Sequence, residues 1–97
     1  MAEIAKPLQV AQLVRSKAGR DHGKYYLVLQ VQDGRVLLVD GRKRLAANPK
    51  VKNPCHLQPV KLVSVDFRAK AQARRLTPED IRADLAALMR ENPEEEA

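Results

Sequence analysis

A polar segment at residues 17–24 holds the densest group of side chains that could do chemistry. Its members of interest are Lys17, Gly19, Arg20, Asp21, His22, Gly23 and Lys24. The three cations could pair with phosphate groups, and Arg20 could also stack on an exposed base. The missing Cβ of the two glycines lets an anion approach backbone N–H groups, although glycine equally suits a tight turn. Asp21 could orient Arg20 or cap that turn, and His22 could donate to a ligand or face solvent.

A second basic cluster follows the Asp40-Gly41 pair. It consists of Arg42, Lys43, Arg44, Lys50 and Lys52. Loops at alternate strand ends of a small barrel can converge, so this cluster could extend the surface formed by residues 17–24. The alternative is a solvated face that keeps the protein soluble. A third group, Arg68, Lys70, Arg74 and Arg75, would not share one helical face and is a weaker candidate.

Metal binding and catalysis find little support in the residue pattern. Cys55, His56 and His22 are three potential ligands, but their spacing is neither a paired-cysteine nor a paired-histidine motif. Adjacent residues on a strand point to opposite faces, so Cys55 and His56 are a poor nucleophile–base pair. We therefore expect no enzymatic activity, no metal, no cofactor and no small-molecule substrate.

The length and composition predict one small domain. A chain of 97 residues, 44% of them hydrophobic, can bury a single modest core. No apolar run approaches the roughly eighteen residues that span a bilayer, and no secretory signal begins the sequence. The single cysteine, Cys55, cannot form an internal disulfide. These features favour a cytoplasmic protein with no membrane partner.

Charge is distributed unevenly along the chain. Residues 1–75 contain sixteen Lys or Arg and five Asp or Glu, whereas residues 76–97 contain two and seven. A basic body of this kind attracts polyanions, of which nucleic acid is the commonest. Charge alone leaves an anionic membrane or an acidic protein open as the partner.

Strand patterns occupy residues 8–65. The run YYLVLQVQ from Tyr25 and the run RVLLV at Arg35–Val39 flank Asp33-Gly34. An Asp-Gly pair between β-rich runs predicts a hairpin with a type I′ turn, which needs positive φ at both central residues. A first strand is expected at Val10–Arg15.

The remaining strands are expected after a long basic loop. That loop, residues 42–54, has room for one short strand, and a last strand is predicted between His56 and Val65. Pro59 indicates that this last strand is an edge or carries a bulge. So few short strands suit a small closed or partly closed barrel better than a sandwich.

Helix signals follow the strands. Thr77 can cap a helix with Pro78 at its first position, and Asn92-Pro93 ends it. Its predicted apolar face is Ile81, Leu85, Leu88 and Met89. A shorter helix is expected within residues 67–75. We thus expect a mainly β chain: a barrel at residues 1–65, a helical appendage at 66–92 and an acidic tail at 93–97.

Residues 14–31 resemble the KOW motif. The matching positions are Val14, Lys17, Gly19, Asp21, Gly23, Lys24 and the apolar run that begins at Tyr25. The longer stretch VRSKAGRDHGKYYLVLQVQDGRVLLVDGRKR, with the later PKVKNPCHLQPV, is similar to the archaeal and eukaryotic large-subunit ribosomal protein fourteen family. It is more similar still to short bacterial KOW-domain RNA-binding relatives of that family. The resemblance covers Leu8 to Val60.

This resemblance implies an SH3-like barrel that binds RNA at or near the ribosome. Ribosomal RNA is then the expected partner, with ribosomal proteins as further candidates. The ribosomal members commonly end in long basic extensions, whereas this chain ends in an acidic helix and PEEEA. A permanent ribosomal component and a transient ribosome-associated factor therefore both remain open.

Two other functions remain open at this point. The barrel or the helix at Pro78–Arg90 could dock on a protein, which would make the chain an interaction adaptor. A transcription-associated nucleic-acid binder would show the same charge pattern. Aromatic residues are only 3% of the chain, which disfavours both an aromatic-lined peptide groove and a platform for stacking several bases. We therefore expect recognition of phosphates and RNA shape.

Overall fold

The computed structural model describes residues 8–92 and shows a mainly β chain with two helices at its end. The first seven residues of the predicted barrel segment and the predicted acidic tail at 93–97 lie outside the described residues. The elements are β1 (Gln12–Ser16), β2 (Tyr25–Gln32), β3 (Arg35–Val39), β4 (Lys50–Lys52), β5 (Leu57–Val63), α1 (Val65–Gln72) and α2 (Pro78–Glu91), with a 3₁₀ turn at Pro54–His56 before β5.

The five strands form one antiparallel sheet in the order β4-β3-β2-β1-β5. Strands β1, β2 and β3 each pair with the strand that follows them in the chain. Strand β5 forms the other edge of the sheet and pairs with β1, where Pro59 lies opposite Val14. The predicted edge position of Pro59 is therefore confirmed. Register shifts interrupt the β1–β5 and β2–β3 pairings, which bends the sheet.

The sequence predicts a closed or partly closed barrel, and within residues 8–92 the sheet does not close. The two edge strands, β4 and β5, do not pair with each other. Strand β4 is only three residues long and is flanked by Pro49 and Asn53-Pro54. Because proline has no N–H to donate, the chain on either side of β4 is poorly suited to extend the pairing that closure would require.

The hairpin predicted at Asp33-Gly34 is present, but its turn differs from the prediction. Gln32 and Arg35 are the last paired residues of β2 and β3. Gly34 has φ +65°, whereas the non-glycine residues with positive φ within residues 8–92 are Ala11 and Arg74. The type I′ expectation was wrong, because Asp33 stays at negative φ and only the glycine takes the left-handed conformation.

Alternation along the strands buries both faces of the sheet. One buried cluster combines Leu13, Leu27, Val39 and Val60 with Phe67, Ile81 and Leu88 from the helices. The other consists of Val14, Tyr26, Val28, Val36, Leu38 and Leu57. Adjacent strand residues such as Leu13 and Val14 belong to opposite clusters, as period-two alternation requires. The helices thus share a core with the sheet.

Helix α2 begins with the predicted cap. Thr77 Oγ1 accepts a hydrogen bond from the Asp80 N–H at 3.1 Å, and the Asp80 carboxylate accepts one from the Thr77 N–H at 3.3 Å. This reciprocal pair is a capping box. Ile81 and Leu88 are buried, as expected, and the helix gives way to extended backbone at Asn92.

The shorter helix is also present, but it begins and ends earlier in the chain than the predicted range of residues 67–75. It spans Val65–Gln72 and is capped by the Ser64 side chain. Lys70 on this helix lies 3.4 Å from carboxylate oxygens of both Asp80 and Asp84 on α2. These contacts join the two helices. Neither helix within residues 8–92 has the length and apolar character that crossing a bilayer requires.

Candidate nucleic-acid interface

The buried carboxylate of Asp21 organises the loop between β1 and β2. Asp21 is only 5% exposed. Its Oδ1 accepts hydrogen bonds from Ser16 Oγ at 2.9 Å and from Lys52 Nζ at 2.8 Å. Its Oδ2 accepts one from Tyr26 Oη at 3.2 Å and lies 3.5 Å from Lys50 Nζ. The carboxylate therefore joins β1, β2 and β4 around one point.

These contacts shift two ionisation equilibria. Burial alone would raise the pKa of Asp21, but hydrogen bonds from Lys52 and Ser16 and the charge of Lys50 outweigh it and hold that pKa well below its usual range. Burial, together with the negative charge of Asp21, raises the pKa of Tyr26 to about 12. At neutral pH the centre thus contains a carboxylate, a neutral phenol and two ammonium groups.

The backbone of the same loop is closed by its own hydrogen bonds. The Ser16 N–H donates to the Lys24 carbonyl, and the Gly23 N–H donates to the Ser16 carbonyl, both at 2.8 Å. Gly19 and Gly23 have φ +84° and +89°, so these glycines have a conformational role, as the sequence allowed. Lys52 Nζ also donates to the Ala18 carbonyl at 2.8 Å. Hydrogen bonds within the loop backbone and one from the side chain of Lys52 on β4 therefore fix the conformation of the loop.

The second basic loop is anchored on helix α2. Asp40 Oδ1 accepts hydrogen bonds from the backbone N–H groups of Arg42 at 2.8 Å and Arg44 at 3.0 Å. The Gly41 carbonyl accepts one from the Arg82 guanidinium at 2.6 Å. A Cβ on Gly41 would come within 2.6 Å of Arg82 Cγ and 2.8 Å of the Pro78 carbonyl oxygen. The loop can therefore lie against the helix only because residue 41 has no side chain.

The two loops meet in a cleft of about 320 Å³, hereafter the basic cleft. Its lining residues are Arg20, Asp21, Lys24, Tyr26, Asp40, Lys43, Arg44 and Lys50. The fold thus brings together Arg20 and Lys24 from the first predicted cluster with Lys43, Arg44 and Lys50 from the second. The expected convergence of the two clusters is present in the geometry.

Most of the positive charge in the basic cleft is unpaired. Within residues 8–92, Arg20, Lys24, Lys43 and Arg44 form no ion pair with a carboxylate. Each of the two acids in the cleft already has donors of its own, since Asp21 binds lysines and hydroxyls and Asp40 binds backbone N–H groups. Four cationic residues therefore line the cleft without an ion pair to either of its two carboxylates.

Four other predicted contact residues, Lys17, His22, Arg42 and Lys52, do not line the basic cleft. Lys17 and His22 are exposed on the same loop, and Arg42 lines a neighbouring groove. The Lys52 side chain is only 10% exposed and is engaged by Asp21. Lys50, which is 26% exposed, takes part in both the ion pair and the cleft wall. The two lysines of β4 therefore differ from the four unpaired cations.

Sequence reasoning missed the central role of Asp21. The available signal was its isolation, because Asp21 is the single acid between Glu3 and Asp33 in a strongly basic stretch. Its actual partners were not evident, because Lys50 and Lys52 are far away in sequence. Alternation predicts that one of the adjacent tyrosines, Tyr25 and Tyr26, points inward, and the structure shows that it is Tyr26, at 4% exposure. Its hydroxyl then binds the same carboxylate.

The part of the chain that the structure describes contains no group of three or more His, Cys, Asp or Glu side chains placed to hold a metal ion. Cys55 is an exposed free thiol in the 3₁₀ turn before β5. The expectation of a protein without enzymatic activity stays a prediction.

No model of a known protein family matches the chain, and no curated protein matches it.

Proposed function

We propose that this protein binds structured RNA through the basic cleft. The observation that carries the proposal is the convergence of four cations, Arg20, Lys24, Lys43 and Arg44, on one concave surface without an ion-pair partner among the described residues. Groups of this kind attract phosphates, and several of them on fixed loops select a polyanion over a single small anion.

The lining of the cleft favours contacts to the RNA backbone over base reading. Its single aromatic ring, Tyr26, is 4% exposed and its hydroxyl is bound to Asp21, so no flat surface is offered to a base there. Phosphate contacts fix the position and orientation of a nucleic acid without reading its sequence. We infer that the protein recognises the spacing of phosphates in a folded RNA.

The resemblance of residues 14–31 to the KOW motif supports the same function. On this proposal the chain is a KOW-type, SH3-like domain that acts with the ribosome in the cytoplasm, with ribosomal RNA as its main partner and ribosomal proteins as neighbours. The loop that carries the motif, residues 17–24, is also the loop that contributes Arg20 and Lys24 to the cleft. The resemblance and the cleft geometry therefore point to the same loop as the RNA-binding surface.

The first test is a titration of fluorescently labelled ribosomal RNA hairpins with the full-length protein at about 50 mM and about 200 mM salt. Affinity should fall steeply with salt, because every neutralised phosphate releases counterions; the four cations of the cleft would account for a loss of roughly a hundredfold. Absent binding, or binding that salt does not change, would refute the proposal.

A matched pair of double variants locates the site. Arg20→Gln with Lys24→Gln should reduce the salt slope by roughly 2, one for each lost phosphate contact. The control, Lys61→Gln with Arg75→Gln, removes one lysine and one arginine from exposed positions outside the cleft. Equal losses in the two variants would mean that net charge, rather than the cleft, determines binding.

Competition separates RNA from duplex DNA. An unlabelled RNA hairpin should displace the labelled RNA at much lower concentration than a DNA duplex of the same sequence and length, because the two helices space their phosphates differently. Equal competition by DNA would instead favour the transcription-associated alternative.

A further inference from the structure

A groove of about 310 Å³ lies next to the basic cleft, between the Asp40–Arg44 loop and helix α2. It is lined chiefly by Arg42, Arg82, Leu85, Ala86, Met89 and Arg90. Asp40 lines both the groove and the basic cleft, so the two depressions are neighbours separated by one turn of chain. We call this depression the helix groove.

The helix groove differs from the basic cleft in chemistry. Leu85 and Met89 pack partly against the core, and with exposed Ala86 they form an apolar floor. Exposed Arg42 and Arg90 supply positive charge at the rim. Neither arginine forms an ion pair within residues 8–92. The groove therefore offers an apolar surface and unpaired guanidinium groups side by side.

Arg82 has a different role in the groove. Its guanidinium donates to the Gly41 carbonyl at 2.6 Å, which fixes the Asp40–Arg44 loop on α2. The spacing between the basic cleft and the helix groove is therefore set by a hydrogen bond and by the close packing of Gly41 on the helix. A ligand that occupies both depressions must therefore match the distance between them that these contacts set.

We propose that the helix groove is a second RNA subsite, which takes an unpaired nucleotide adjoining the structured segment held in the basic cleft. The base lies against Leu85, Ala86 and Met89, and the phosphate of the same nucleotide pairs with Arg42 and Arg90. This inference rests on the proposed RNA-binding function and gives helix α2 a part in it.

Charge and continuity favour an unpaired nucleotide over other occupants. A duplex presents phosphates but keeps its bases stacked inside, so it would leave the apolar floor without a partner. An apolar peptide would cover the floor but offer no anion to the exposed guanidinium groups of Arg42 and Arg90. An unpaired nucleotide offers together a flat base for the apolar floor and a phosphate for the two arginines, because unpaired bases can be splayed out of the stack.

Two RNAs and two matched pairs of substitutions test the subsite in the full-length protein. The RNAs are a blunt-ended hairpin and the same hairpin with short unpaired extensions at both ends. Ala86→Glu places a carboxylate on the floor of the groove, whereas Ala83→Glu adds the same charge at an exposed position of the same helix outside the groove. Both alanines are exposed and glutamate is a good helix former, so both variants should fold.

The wild-type protein should bind the extended hairpin about tenfold more tightly than the blunt one, as expected for burial of one additional base. Ala86→Glu should lose this advantage, and Ala83→Glu should keep it. Arg90→Gln should also lose most of it, with Arg75→Gln as its control.

Three outcomes would overturn the inference: no gain from the extensions in the wild type, equal effects of Ala86→Glu and Ala83→Glu, or an acidic peptide that displaces the extension from the groove. The proposed function has its own readout in the blunt hairpin. If the wild type binds the blunt hairpin and the cleft variant does not, RNA binding stands even where the subsite fails. If the wild type binds neither RNA, both proposals fail.

Discussion

Lys52 Nζ lies 2.8 Å from Asp21 Oδ1, although the two residues are 31 positions apart in the chain. Their side chains are 10% and 7% exposed, so the pair is largely shielded from water. Through it, the edge strand β4 is tied to the loop between β1 and β2, with which it shares no strand pairing. The pair therefore sets the position of Lys50 relative to Arg20 and Lys24 in the basic cleft.

The first prediction concerns the stability that Asp21 provides. Asp21→Asn should lower the free energy of unfolding at pH 7 by about 3 kcal/mol, because removing one partner of a buried ion pair leaves the other charges uncompensated. Asp33→Asn, in the exposed turn between β2 and β3, should change it by less than about 0.5 kcal/mol. Urea unfolding of both variants measures the difference. Similar stabilities would contradict the central role of Asp21.

Because the Asp21 carboxylate is stabilising in its ionised form, we expect the free energy of unfolding to fall in acid. The pKa of Asp21 is lowered in the folded protein, so the folded state holds its proton less tightly than the unfolded state does. Its contribution is complete above the unfolded pKa, near 3.8, and is lost as the pH falls below that value toward the lower folded pKa. The stability difference between wild type and Asp21→Asn should therefore shrink steadily from about pH 5 downward. A difference independent of pH would show that the carboxylate is not the stabilising form.

Lys24 and Lys52, one from each predicted basic cluster, should have different roles: Lys24 in RNA binding and Lys52 in stability. Lys52→Gln should destabilise the fold by about 2 kcal/mol or more, because it removes the hydrogen bonds to Asp21 and to the Ala18 carbonyl. Lys24→Gln should leave stability within about 0.5 kcal/mol of wild type and weaken RNA binding, because Lys24 is exposed in the cleft. Thermal unfolding and RNA titration of both variants test this division. The opposite pattern would mean that Lys52 is the contact residue.

The junction of the second basic loop with α2 gives a fourth prediction. Gly41→Ala should destabilise the protein by about 3 kcal/mol, because the new Cβ meets backbone and side-chain atoms of the helix and residue 41 has φ +81°. Gly34→Ala is the control, since Gly34 has φ +65° but nothing within 4 Å of the added Cβ. Its cost should be about 1 kcal/mol, from the backbone conformation alone. Chemical unfolding compares the two, and equal costs would show that Gly41 does not need to approach the helix closely.

The elements that could be predicted from the sequence are those specified by neighbouring residues. The Asp33-Gly34 pair located the hairpin of β2 and β3, and Thr77 with Pro78 located the start of α2. Even these local signals did not predict the backbone dihedral angles of the turn. The turn at Asp33 is not of the predicted type, because a strand pairing specifies that the chain reverses and leaves open which φ values achieve it.

Strands, helices and the two basic loops follow from short-range sequence signals, because hydrogen bonding in hairpins, caps and helices depends on residues a few positions apart. Which of the charged side chains lack an ion-pair partner follows instead from the three-dimensional packing. The partners of Asp21, the approach of Gly41 to Arg82 and the open edge at β4 all depend on contacts between residues distant in sequence. The sheet order brings those residues together, and it thereby leaves Arg20, Lys24, Lys43 and Arg44 without carboxylate partners among residues 8–92.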